Sequence, residues 1–186
     1  MTKVFLSGSR RISRLNEDVR GRLRNMVQNG LGIVVGDANG ADKAMQSYLN
    51  DEGYKNVTVY CAGPVCRNNL GSWETKNIQV DSKLKGRAFY TQKDKAMARD
   101  ADLGFVLWDG KSNGSITNAL ELLSSGKTVV LFFAPQKEFF NFKTIEQLGD
   151  VVKRLDAEAY DSAFRSNLRS LDNARSKESQ TSLPMF

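Results

Sequence analysis

Three short segments of this 186-residue chain concentrate residue types that can hold a phosphate or a sugar. In Ser7-Gly8-Ser9-Arg10-Arg11 a glycine permits close backbone approach, two hydroxyls can donate, and two guanidinium groups can fork onto phosphate or carboxylate. Gly36-Asp37-Ala38-Asn39-Gly40-Ala41-Asp42 has two glycines and an asparagine suited to positive φ, which turn backbone amides outward as an anion nest. Asp42 falls in a first helical turn, where it can stabilise the helix dipole or accept from a ligand hydroxyl. In Trp108-Asp109-Gly110-Lys111-Ser112-Asn113-Gly114-Ser115 a lysine, two serines and a glycine pair precede a helical pattern, the ingredients of a phosphate cradle. It is not a Walker A loop, because Lys111 precedes the second glycine instead of following it. Each segment alone also reads as an ordinary turn; three at the ends of strands are more specific than any one.

Composition narrows the chemistry further. The chain has no histidine, which removes Ser-His-Asp and Cys-His schemes, His-ligated metals and imidazole acid/base catalysis. What remains are carboxylates, hydroxyls, lysines, backbone amides or a bound ligand. Cys61 and Cys66 have no third or fourth ligand residue in view, so they read as two buried or idle thiols; no metal and no cofactor are expected. Lys and Arg number 27 against 21 Asp and Glu, a net charge of +6, and residues 1–30 carry seven basic and two acidic side chains. Phosphate is the natural partner of such a region, on a nucleotide or a nucleic acid. Arg10, Arg11, Arg14, Arg20, Arg22 and Arg24 carry the nucleic-acid alternative, although they fall on different helical faces.

The elements that must position these residues alternate. Val4-Phe5-Leu6 and Ile33-Val34-Val35 read as buried strands around a helix marked by Leu15, Val19, Leu23, Met26 and Val27. A second helix (Ala41, Ala44, Met45, Tyr48, Leu49) leads to strand 57–60, and Ala88-Phe89-Tyr90 is a fourth strand candidate. Helix 93–100, strand 103–108, helix 116–125 and strand 128–133 follow. This pattern predicts an α/β fold, a Rossmann-like doubly wound parallel sheet over residues 1–135, with a long connection at 61–87 that could act as a lid. A helical extension over 143–175 and a disordered tail over 176–186 complete the expected organisation. No apolar run reaches the length of a membrane span, so a cytoplasmic protein is expected, and a homo-oligomer.

The three strand-end segments, together with Lys93-Asp94-Lys95-Ala96-Met97 and the run Ala101 to Ser115, resemble the SLOG superfamily of Rossmann-like nucleotide-binding domains, its YspA-like branch in particular, over residues 3–134. The resemblance implies a nucleotide or nucleotide-derived ligand, bound by a domain that senses or processes a metabolite. Its site would draw on Gly8, Ser9, Arg10, Gly36, Asp37, Gly40, Asp42, Lys93, Asp109, Gly110, Lys111, Ser112, Gly114, Ser115 and Asn118, with phosphate near Gly114. Similar LOG phosphoribohydrolases and nucleoside deoxyribosyltransferases use a glutamate three residues after the Thr of a Gly-Thr pair. Here Gly114-Ser115 matches that pair and Asn118 stands in the glutamate position, where an amide supplies neither a nucleophile nor a full negative charge. An N-glycosidase or transferase alternative would therefore rest on Asp94, as carboxylate base or ribose-hydroxyl partner, and on Glu121 one turn further on. Lys93 stands where the phosphoribohydrolases have an arginine, keeping charge and losing the fork.

Overall fold

Alternation within each strand sets up two cores, one on each face of a single sheet. In β1 (Lys3–Gly8), Val4 and Leu6 face one way and Phe5 the other, as the two-residue period of a strand requires. The computed structural model describes residues 1–170 and 172–173, and places β1 between β2 (Gly32–Gly36) and β5 (Leu103–Trp108), parallel to both. β3 (Val57–Ala62), β4 (Glu74–Ile78), β6 (Thr128–Phe133) and β7 (Glu138–Phe142) complete a seven-stranded sheet of order β4-β3-β2-β1-β5-β6-β7. All neighbours are parallel except β6 and β7. The expected Rossmann-like α/β fold is the one observed.

Helices α1 (Glu17–Gln28) and α2 (Ala41–Asp51) cover one face, where Val19, Leu23, Met45 and Leu49 pack with Val4, Leu6, Ile33 and Val35. The other face carries α3 (Gly86–Asp100), α4 (Asn113–Ser124) and α5 (Ile145–Leu155), which bury Met97, Ile116, Leu120 and Leu148 against Phe5, Val34, Val106 and Trp108. Asn16 caps α1 by accepting from the Val19 amide at 3.0 Å, and Thr144 with Gln147 forms a capping box on α5. The chain runs from β1 outward to β4, then crosses back to β5 beside β1. The carboxyl ends of β1 and β5 are therefore the switch point, where open α/β sheets leave a crevice.

Four expectations are corrected. Ala88, Phe89 and Tyr90 lie in the first turns of α3 and not in a strand, so that helix begins seven residues before Lys93. The fourth strand is instead Glu74–Ile78, a largely exposed edge strand held by Lys76 pairing with Asp100 and by Asn77 Nδ2 donating to the Gly63 and Pro64 carbonyls at 3.0 and 2.7 Å. The 61–87 stretch is thus not one loop: it holds the end of β3, the whole of β4 and the start of α3. Cys61 and Cys66 are not idle thiols but partners in a disulfide.

The sheet also continues past residue 135 through β7. Of the helical extension, α5, the short α6 (Ala157–Ala159) and a π-helical stretch Tyr160–Arg165 are present, with Phe164 buried against Gly149. Leu171 and the expected tail over 176–186 lie outside the described residues. Among the described residues no helix is long and apolar enough to cross a membrane.

Candidate functional site

At the switch point the strand ends surround a cleft of about 550 Å³. Its floor is the end of β1 with the residues that follow, Ser7 to Arg11. Two contacts fix that floor. A Cβ on Gly8 would lie 2.6 Å from the Ala41 Cβ and 2.9 Å from Leu107, so glycine is what lets α2 and β5 close on β1. Gly40, at φ +82°, presses on the Arg10 backbone, while the Ala41 amide donates to the Ser9 carbonyl at 3.1 Å. The first two glycine-containing loops are thereby strapped together.

One wall is the face of α3 that presents Arg87, Tyr90, Thr91 and Asp94, the i, i+3, i+4, i+7 positions of a helical stripe. The opposite wall is the turn into α4, from Asp109 through Ser112, Asn113 and Gly114 to Thr117 and Asn118. Asp109 shapes that turn by accepting from the Lys111 and Ser112 amides at 3.1 and 2.7 Å. Ser112, the N-cap residue of α4, makes no side-chain capping bond, so the first-turn amides are left for another acceptor. Arg87 donates across the cleft to Thr117 Oγ1, and Asn118 Nδ2 donates to Ser7 Oγ at 2.7 Å.

At the base lies a buried charge cluster. Lys93 is 3% exposed, and its Nζ donates to Asp94 Oδ1 at 2.7 Å. Burial alone would lower its pKa, but the carboxylates of Asp94, Asp42 and Asp37 outweigh that and hold it above the ordinary lysine value. Asp42 behaves oppositely: burial pushes its carboxyl up to about 6, with Lys93 opposing and Asp94 adding to the rise. Gly36 makes room for both, since a Cβ there would collide with Asp42 Oδ2 and lie 2.6 Å from Lys93 Nζ.

Arg67 reaches the cleft from the loop after β3. Its Nε and Nη2 grip Asp37 at 3.1 and 2.6 Å, and its own amide donates to the same carboxylate at 3.0 Å. Burial would raise the Asp37 pKa, but these bonds hold it below the usual aspartate range. The guanidinium carbon of Arg67 stands 4.2 Å from the centre of the Tyr90 ring and that of Arg10 5.5 Å from it.

Of the residues singled out in the sequence, Gly8, Ser9, Arg10, Asp42, Lys93, Asp94, Asp109, Ser112, Gly114 and Asn118 line this cleft. Gly36, Asp37 and Gly40 support it from beneath. Gly110 takes a φ of +82° against Phe133, and Ser115 is buried with its hydroxyl on the Leu107 carbonyl at 3.3 Å. Lys111 is exposed and Glu121 sits further along α4; neither lines the cleft. Arg67, Arg87, Tyr90, Thr91 and Thr117 were not anticipated. The polar stripe at 87, 90, 91 and 94 was readable once a helix started at Gly86, whereas nothing local marks Arg67.

No protein-family model and no curated protein matches the chain. A solved structure of DNA processing protein A from Helicobacter pylori, described for its single-stranded DNA binding mode, is similar to it with a TM-score of 0.54 and 16% sequence identity. The likeness covers 70% of this chain and 64% of that one, so it spans less than two thirds of the other protein. At this identity it is a likeness of fold alone, a Rossmann-like α/β domain.

Proposed function

We propose that the cleft binds a nucleotide or nucleotide-derived small molecule through its phosphate, in a domain of the SLOG type that senses or processes such a metabolite. One observation carries the reading: Arg10, Arg67, Arg87 and the uncapped first turn of α4 converge on a single cavity of about 550 Å³, within the range of small-ligand sites. Asp42 and Asp94 face the same space, where carboxylates can accept from ribose hydroxyls. Asn118 donates to Ser7, and no carboxylate occupies the position where the resembling glycosidases have their glutamate, so binding is favoured over bond cleavage. Titration of the protein with a panel of nucleoside phosphates and ADP-ribose tests this. At least one should bind, more weakly to Arg10→Ala and Gly114→Val; silence across the panel from folded protein overturns it.

A second reading, single-stranded nucleic acid, is favoured by the likeness in fold to DNA processing protein A, a protein described for its single-stranded DNA binding mode. Arg10, Arg11 and Arg87 are exposed on the cleft rim, where a phosphodiester backbone could run. Retention of single-stranded DNA whose affinity falls steeply with salt would support it, and no retention at low salt would remove it.

A further inference from the structure

We propose that the Cys61–Cys66 disulfide is a latch that holds Arg67 in the cleft wall, and that reduction by a dithiol releases it. The effect on nucleotide affinity rests on the function proposed above; the release itself does not. Cys61 is fully buried near the end of β3, fixed in the core. Cys66 is half-buried, and the connecting turn bulges into solvent with Val65 75% exposed. Arg67 is the next residue in the chain. Its amide, Nε and Nη2 all engage the Asp37 carboxylate, itself 1% exposed at the end of β2, leaving the other Nη hydrogens for the cleft. The disulfide is therefore the covalent tie between a rigid strand and the residue that delivers a guanidinium to the site.

The downstream segment is tied to the body by hydrogen bonds that each use a side chain: Asn68 Nδ2 donates to the Asp37 carbonyl at 2.8 Å and to Asn39 Oδ1 at 3.1 Å, Gln46 Nε2 donates to the Asn68 carbonyl at 3.3 Å, and the Leu70 amide donates to Gln46 Oε1 at 3.0 Å. Opening the ring returns conformational freedom to the turn, and the three bonds on Asp37 must then order Arg67 without covalent help. The chemistry is thiol exchange. A thiolate of the dithiol attacks the sulfur of Cys66, the less buried of the two cysteines, and Cys61 leaves as a thiolate that takes a proton. The second thiol of the reductant then closes on its own sulfur in the mixed disulfide, freeing Cys66 as a thiol. Two electrons and two protons pass to the protein, and the dithiol becomes a disulfide. Cytosolic thiol pools would favour the opened form and oxidation would close it, which makes the site a redox-responsive one.

The test compares the full chain before and after dithiothreitol. Amide hydrogen exchange is read at residues 63–70 and AMP affinity at fixed ionic strength. On reduction the Arg67 amide should exchange at least about tenfold faster, and the AMP Kd should rise about threefold to tenfold, the share of one charge-assisted hydrogen bond. Cys61→Ser/Cys66→Ser should match the reduced protein and ignore dithiothreitol. Oxidised Arg67→Gln should show the weaker affinity already, with no further change on reduction. Equal exchange of the Arg67 amide in both states, or two alkylatable thiols in the air-oxidised protein, overturns the latch. Faster exchange with unchanged AMP affinity overturns the link to binding. If AMP and the wider nucleotide panel fail to bind in either state, the nucleotide reading fails and the latch is decided by exchange alone.

Discussion

Asn118 donates through Nδ2 to the Ser7 hydroxyl at 2.7 Å, joining residues 111 apart in sequence and tying α4 to the end of β1 at the floor of the cleft. Both side chains are at least nine-tenths buried. The bond fixes the Ser7 oxygen as acceptor and leaves its proton free to donate to another group. Asn118→Ala removes the donor and leaves a buried hydroxyl short of a partner. It should cost about 1–3 kcal/mol in urea unfolding. Asn118→Ala/Ser7→Ala should cost less than the sum of the two single changes, because the pair acts as one unit.

The parts of the fold that could be read in advance are those whose apolar pattern is strong. β1, β2, β3, β5 and β6 are near-continuous buried runs, and a parallel sheet follows from them. β4 has the sequence Glu-Thr-Lys-Asn-Ile, exposed except for Ile78 at its end, so no hydrophobic period marks it. Ala88-Phe89-Tyr90 misleads for the reverse reason: three adjacent apolar or aromatic residues imitate a short strand, while the helical face of α3 is written in polar residues that meet only across the cleft. The floor of the site was legible because Gly8 and Gly40 are local signals. Arg67 was not, since its place depends on a disulfide and on Asp37, 30 residues away.

Lys93 compensates the carboxylates at the base of the cleft. Lys93→Met keeps much of the volume and removes the ammonium, leaving Asp94 and Asp42 without their common cation. The expected loss is about 3 kcal/mol or more at pH 7. It should shrink at pH 5, where the Asp42 carboxyl, with Lys93 no longer opposing the rise, is protonated. Urea unfolding at the two pH values measures this; an equal loss at both would contradict the electrostatic account.

Asp42 itself makes stability depend on pH. Its folded value of about 6 lies above the ordinary aspartate value of 3.8, so between these two values the folded state holds more protons than the unfolded. Stability contributed by this group must fall as pH rises from about 4 to about 6 and then level off. The size is on the order of 3 kcal/mol at full deprotonation. Asp37 and Asp100, both lowered by their cationic partners, run the opposite way, losing their contribution as pH falls below 4. The difference between wild type and Asp42→Asn cancels those terms. That difference should shift in favour of Asp42→Asn by the stated amount between pH 4 and pH 7, and a flat difference would refute it.

Two glycines at the cleft should separate folding from binding. At Gly40 the backbone has φ +82°, and a side chain would fall on the Arg10 main chain, which cannot retreat without losing the bond from the Ala41 amide to Ser9. Gly40→Ala combines left-handed strain with overlap against backbone and should cost about 3 kcal/mol or more. At Gly114 a Cβ meets nothing nearer than Ser112 Oγ at 3.9 Å, and the residue lies in the first turn of α4. Gly114→Ala should leave stability unchanged or raise it by up to about 1 kcal/mol, because alanine is the better helix residue. Its methyl group enters the space where a phosphate would approach the first-turn amides, so nucleotide affinity should fall while the unfolding curve does not. Thermal unfolding and AMP titration of the two variants side by side make the comparison. A Gly114→Ala protein that binds as wild type does would move the phosphate away from α4.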